Sequence, residues 1–155
     1  MVTANDFIPA PYTQSVEQGK FQWSAPSNIA LVKYWGKKGK QIPSNPSISF
    51  TLNDAHTDMS LAWEPKSTAG IILEFLFEGQ VNEAFGNKIV KFLEGILVDM
   101  PFLEQYKLRI SSTNSFPHST GIASSASSMS ALAMCLCSME AELKGLPQDE
   151  AFYQR

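Results

Sequence analysis

Hydrophobic and polar positions alternate along several short stretches of the chain and recur every three to four residues along two longer ones. Lys20–Ala25 alternates around Phe21 and Trp23 and predicts a first strand, which Pro26 should close. Ser47–Leu52, Thr57–Trp63 and Gly70–Phe77 predict further strands, with turns around Glu64–Ala69 and at Glu78–Gly79, and Tyr106–Ser112 predicts another. In Ala84–Asp99 the residues Phe85, Ile89, Phe92, Leu93, Ile96 and Leu97 fall three and four apart, the spacing of an amphipathic helix, and Pro101 follows as a stop. Ile122–Lys144 is built of small residues, Met and Leu, and predicts a second helix ended by Gly145 and Pro147. Pro147, Asp149 and Glu150 then sit where the first turn of another helix wants them. Ile29–Trp35 is apolar except for Lys33. Gly36, Lys37, Lys38, Gly39 and Lys40 make a basic turn, and Pro43 and Pro46 predict irregular chain over 41–47. Strands and helices mix without strict alternation, which predicts an α+β fold with a mixed sheet packed against helices. Residues 1–19 hold Pro9, Pro11 and Gly19 with no period and read as a flexible arm ahead of one domain over 20–155.

Composition narrows the partners. The chain has 155 residues, enough for one domain, and a net charge of -3. Nucleic acid and anionic membranes both call for a basic surface, so neither is expected. A mildly acidic protein binds phosphate only by gathering positive charge locally. Cys135 and Cys137 lie two apart in the long helix, do not face each other, and read as core residues in a reducing compartment. Residues 1–20 lack the apolar core of a signal peptide, so the expected location is cytoplasmic.

Two segments carry candidate chemistry. Asn114–Met129 reads N-S-F-P-H-S-T-G-I-A-S-S-A-S-S-M and runs from strand through loop to the start of a helix. A helix N-terminus leaves backbone N–H groups unpaired and carries partial positive charge. Small residues let a phosphate chain approach, and serine hydroxyls add donors or help hold Mg²⁺. This is not a Walker A loop, because no Gly-Lys-Ser/Thr follows. The same composition also suits a tight helix crossing with Gly121 as a turn, and His118 reads as a loop residue. Ala25–Lys38 reads A-P-S-N-I-A-L-V-K-Y-W-G-K-K. Lys33, set among apolar residues, must either reach water or meet an anion, and Lys37 follows four residues later. Lysines converging on one pocket would neutralise a polyphosphate. Two solvated lysines beside a buried Tyr34 and Trp35 would give the same pattern.

The runs A-P-S-N-I-A-x-x-K-Y-W-G-K at Ala25–Lys37, S-N-P-S-I-S-F-T-L at Ser44–Leu52 and N-S-F-P-H-S-T-G-I-A-S-S-A at Asn114–Ala126 together resemble the diphosphomevalonate decarboxylase family of the GHMP kinase superfamily. The likeness extends from Lys20 onward with its motifs in order. It implies the GHMP kinase N-terminal domain (ribosomal protein S5 domain 2-like). It also implies ATP-dependent decarboxylation of (R)-5-diphosphomevalonate to isopentenyl diphosphate, with ATP and Mg²⁺ as cofactors and a homodimer at full length. Carried over position by position, the resemblance places Lys33 near the reacting 3-hydroxyl and Ser125 on the ATP phosphates, as catalytic groups. Asn28, Tyr34, Trp35, Gly36 and Lys37 would bind the substrate. Gly121, Ile122, Ala123 and Ser124 would join Ser125 at the ATP phosphates. The family's downstream G-S-G-S-A-C-R segment and its catalytic aspartate have no counterpart up to Arg155, so residues 1–155 alone are not expected to turn over substrate. A phosphomevalonate decarboxylase, a mevalonate kinase-type enzyme, and a non-catalytic nucleotide- or partner-binding half are the alternatives.

Overall fold

The computed structural model describes residues 12, 17–39, 42–117 and 122–154. Strands β1 (Gly19–Val32), β4 (Ile48–Pro65), β7 (Tyr106–Asn114), β5 (Ile72–Phe77) and β6 (Gln80–Val81) lie in that spatial order in one sheet. The pairs β1–β4, β4–β7 and β5–β6 are antiparallel and β5–β7 is parallel, so the sheet is mixed, as the α+β reading expects. Two short strands, β2 (Lys37–Lys38) and β3 (Ile42–Pro43), form a separate ribbon. The helices are α1 (Glu83–Gly95), α2 (Ser124–Lys144) and α3 (Glu150–Tyr153).

Alternation explains the sheet. Along β7, Tyr106, Leu108, Ile110 and Ser112 are buried, and the residues between them are more exposed. Met59, Leu61 and Trp63 of β4 face the same way. They meet Ala131, Leu132, Cys135, Leu136 and Met139 of α2, so the core lies between one face of the sheet and that helix. Each such side chain stabilises the fold by roughly 1.5–3 kcal/mol through burial. Asn82 caps α1 by accepting from Phe85 N at 3.0 Å. Gly145 ends α2 in the left-handed region (φ 63°), with Leu146 N donating to Ala141 O at 2.9 Å.

Four expectations need correction. Pro26 does not end β1, because it sits at a register shift: its partner is His56, whereas Ser27 pairs with Leu52. A proline lacks the ladder donor and is tolerated at such an irregularity. The two strands expected at 47–52 and 57–63 are one strand, β4. Ser115 satisfies the backbone of the stretch between them: its Oγ accepts from His56 N and donates to Asp54 O, both at 2.9 Å. Residues 41–47 are not wholly irregular, since Ile42–Pro43 pairs with Lys37–Lys38. The first helix stops at Gly95, and a 3-10 turn at Pro101–Glu104 buries Phe102 and Leu103. Within the N-terminal arm, Tyr12 packs edge-on against Phe102, with ring centroids 5.0 Å apart.

Candidate functional site

The start of α2 is the structural centre of the site. The N-cap is Ala123 and no side chain caps the helix; in its first turn Ser124 N donates to Ile122 O at 2.6 Å and Ala126 N to Ala123 O at 3.0 Å. Ala123 N donates to the carbonyl of Asn28 on β1 at 3.4 Å, which ties the two motif-bearing segments together. Beneath this corner Thr57 Oγ1 lies 2.7 Å from Ser127 Oγ and donates to Asn114 Oδ1 at 2.8 Å. Ser127 Oγ also donates to Ser124 O at 3.1 Å. These hydroxyls fix the helix start against β4 and β7 from within the core.

A cleft of about 200 Å³ opens beside that start, between Ser124 and Ser125 of α2, Phe75 and Phe77 of β5, and Phe85 and Lys88 of α1. Ser112 also lines it, and its buried Oγ has no hydrogen-bond partner. A buried hydroxyl without a partner costs roughly 1–3 kcal/mol, a cost that a polar ligand in the cleft would relieve. The cleft shares Phe77 and Asn114 with a shallower groove of about 450 Å³ that adds Glu78 and Phe116. Together they offer aromatic walls, hydroxyls, one ammonium group and the positive end of a helix. A larger depression of about 540 Å³ on the opposite sheet face holds Lys107 and Arg109. There both cations already meet carboxylates, Lys107 on Glu64 at 3.2 Å and Arg109 on Glu74 at 3.0 Å. The hydrogen bond from Arg109 holds the Glu74 carboxyl below its usual range.

The residues singled out in the sequence fall into two groups. Asn28, Ile122, Ala123, Ser124 and Ser125 come together at the α2 start, with Ser124 half-buried and Ser125 exposed. Gly121 and His118 lie outside the described residues. Lys33, Tyr34, Trp35, Gly36 and Lys37 follow the far end of β1. Five residues of extended chain separate Lys33 from Asn28, at most roughly 17 Å. Trp35 is 84% exposed, so the alternative of a buried aromatic pair does not hold for it. The segment is shaped by Asn45, whose Oδ1 accepts from Trp35 N at 2.6 Å, and by Gly36 in the left-handed region (φ 80°) with its carbonyl taking Ser44 N at 3.1 Å. Lys37 Nζ stands 5.9 Å from the centre of the Tyr34 ring. The cation lining the serine cleft is Lys88, which sequence reasoning missed, as it missed Phe75, Phe77, Ser112 and Thr57. Their only signal was the ordinary pattern of strand and helix faces.

Among the described residues no group of three or more His, Cys, Asp or Glu gathers as a metal site. The Ser124 and Ser125 hydroxyls are hard donors that would suit Mg²⁺ carried on phosphate oxygens.

A mixed sheet packed against helices, with a serine-rich helix start beside a cleft, defines an α+β domain. The model of the diphosphomevalonate decarboxylase-like N-terminal domain matches residues 25–149, and the chain belongs to that family. It is 36% identical over 155 residues to the diphosphomevalonate decarboxylase of Saccharomyces cerevisiae, a match covering 93% of this chain and 36% of the yeast protein. Its fold is similar to the mevalonate diphosphate decarboxylase of Staphylococcus aureus (TM-score 0.66, 30% identity, 81% of this chain and 39% of that one). It is likewise similar to the enzyme of Enterococcus faecalis, studied for mevalonate diphosphate mediated ATP binding (TM-score 0.62, 28% identity, 77% and 36%). The chain spans about a third of the length of the curated relatives it matches.

Proposed function

We propose that this domain supplies the ATP-holding part, and one wall of the substrate site, of an ATP-dependent decarboxylation of (R)-5-diphosphomevalonate to isopentenyl diphosphate, with release of ADP, phosphate and CO₂. The observation that carries the reading is the convergence of the uncapped α2 start, the Ser124 and Ser125 hydroxyls and the unpartnered Ser112 hydroxyl on one aromatic-walled cleft. The base and sugar would lie against Phe75, Phe77 and Phe85, and the phosphates would point at the positive end of α2 and the Ser124 and Ser125 hydroxyls. Mg²⁺ bound on those phosphates would spread the charge that develops in transfer. Asn28 and the Lys33–Lys37 segment would face the substrate, with Lys37 offering its charge to the diphosphate.

The chemistry explains why ATP is needed. A tertiary 3-hydroxyl leaves poorly, and its phosphate ester leaves well. When the C3–O bond breaks, the electrons of the carboxylate C–C bond form the new double bond as CO₂ departs. The domain's task in this sequence is orientation and charge neutralisation. Two free thiols, one buried and one half-buried, suit a reducing compartment and support a cytoplasmic location. None of the described helices is long and apolar enough to cross a membrane.

The test joins this chain to the remaining length of the yeast relative and follows ADP release with diphosphomevalonate. Ser125→Ala is expected to lower kcat by roughly 10²-fold, as for loss of one preorganised donor. Lys37→Ala is expected to raise KM for the diphosphate and spare a monophosphate analogue. Unchanged kcat in the serine variant, with unchanged affinity for an ATP analogue, would remove the assignment.

A further inference from the structure

The two-residue turn between β5 and β6 breaks a local rule. Phe77 pairs with Gln80, so Glu78 and Gly79 form the whole loop, and both lie at positive φ, 50° and 77°. That is the signature of a type I′ turn, whose first position favours Asn, Asp or Gly. Glu78 is the only non-glycine residue at positive φ among the described residues. The left-handed region disfavours an ordinary side chain, and a residue held there against preference points to a use for that side chain. Its surroundings show where the use lies. Glu78 lines the groove of about 450 Å³ together with Asn114 and Phe116. Glu78 N donates to Ser112 O at 3.0 Å, and Glu78 Oε1 accepts from Asn114 N at 2.9 Å, so the carboxylate is held at the end of β7. Asn114 Oδ1 accepts from Thr57 Oγ1 at 2.8 Å, which fixes the amide and leaves Nδ2 as its donor. A fixed acceptor and a fixed donor thus neighbour each other in the groove.

We propose that Glu78 is a specificity-determining residue that selects the adenine base, its carboxylate accepting from the 6-amino group while Asn114 Nδ2 donates to an adjacent ring nitrogen. The inference rests on the ATP reading given above and adds what sets the choice of nucleotide. The groove continues the serine cleft through Phe77 and Asn114, whereas Ser124 and Ser125 line the cleft alone. A carboxylate repels phosphate, so the groove end suits the neutral base and the α2 start suits the phosphate chain. Adenine presents a donor at position 6 beside ring acceptors, the complement of Glu78 and Asn114. Guanine and hypoxanthine carry a carbonyl at that position, and its oxygen would face the carboxylate, acceptor against acceptor. The turn itself does not call for a carboxylate of this length, since Asn-Gly would suit its backbone better.

The experiment uses the chain joined to the remaining length of the yeast relative and compares kcat/KM for ATP and for ITP, whose base has the 6-carbonyl. The native sequence is expected to favour ATP by at least about tenfold, the scale of one good pair of base contacts. Glu78→Gln keeps the length of the side chain and an oxygen for Asn114 N, and it adds a donor that suits a carbonyl. The preference is expected to fall by about tenfold in this variant, with ITP turnover rising. Glu78→Asn suits the type I′ turn, so its melting temperature should be no lower than that of the native sequence, and its preference for ATP should fall as well. Ser125→Ala should slow both nucleotides alike and leave the ratio unchanged. Equal kcat/KM for the two nucleotides in the native sequence overturns the proposal, as does a preference that survives in both Glu78 variants. A loss shared equally by ATP and ITP in those variants also overturns it, because Glu78 would then only pin the end of β7. In each of these cases ADP release from ATP leaves the reading of the site in place. No ADP release with either nucleotide would remove that reading and this inference with it.

Discussion

Two halves of the same strand pair behave in opposite ways. In the first half Ala25 of β1, with Met59, Leu61 and Trp63 of β4, is almost wholly buried beneath α2. In the second half Ile29 and Val32, with Ile48 and Phe50, are equally apolar and stand open. The local pattern is the same in both, so alternation sets which side of a strand is apolar and nothing about what covers it. The difference is where the helix begins. Twenty-one residues of α2 reach back to Asn28 and stop there, and the strand pair continues beyond the helix.

Substitutions sharpen the contrast. Leu61→Ala removes a fully buried side chain under α2 and is expected to cost about 2–5 kcal/mol in denaturant unfolding. A loss no larger than that of a surface substitution would mean that the helix does not seal this half. Next in size is Thr57→Val, which deprives Ser127 and Asn114 of their shared partner at the corner where the halves meet. About 1–3 kcal/mol is expected, together with weaker binding of an ATP analogue as the α2 start loosens. A stable variant with intact nucleotide affinity would dissociate the hydroxyl corner from the site.

The third effect is a pH dependence confined to the covered half. Burial pushes the Cys135 thiol up to about 11 from its ordinary 9.0. The folded state thus favours the neutral thiol, and its advantage is complete below pH 9 and lost as pH rises towards 11. The melting temperature should fall across that window, and Cys135→Ala should flatten the fall. The smallest expected effect lies in the open half. Phe50→Ser should change the stability of the chain alone by less than about 0.5 kcal/mol, as for a surface position. A loss near that of Leu61→Ala would show that the open half is already covered.

Much of the fold was legible from side-chain chemistry. The alternation in Tyr106–Ser112, the three-and-four spacing of Phe85, Ile89 and Phe92, and the Gly145 stop of α2 all act over a few residues, the range a local pattern reports. Pro26 and the break between the strands expected at 47–52 and 57–63 depart from the local pattern because their strand pairing is rescued from elsewhere, by a register shift and by Ser115, 59 residues from His56 in the chain. The candidate site divides the same way. Ser124 and Ser125 announce themselves as a serine-rich helix start. Lys88, Phe75 and Ser112 are ordinary residues of ordinary elements and acquire a role only where α1, β5 and β7 converge on that start.

The sequence by itself determined the α+β class, most of the elements, the serine-rich start of α2 and, through its ordered motifs, the family. Those are properties of contiguous residues, whose backbone preferences and side-chain spacing act locally. Only the tertiary structure decided that β4 is one strand, that Lys88 is the cation among the described residues lining the serine cleft, that Trp35 stands exposed, and that half of an apolar face is left open. Each of those depends on which distant segments share a surface, and that is settled by packing across the whole domain.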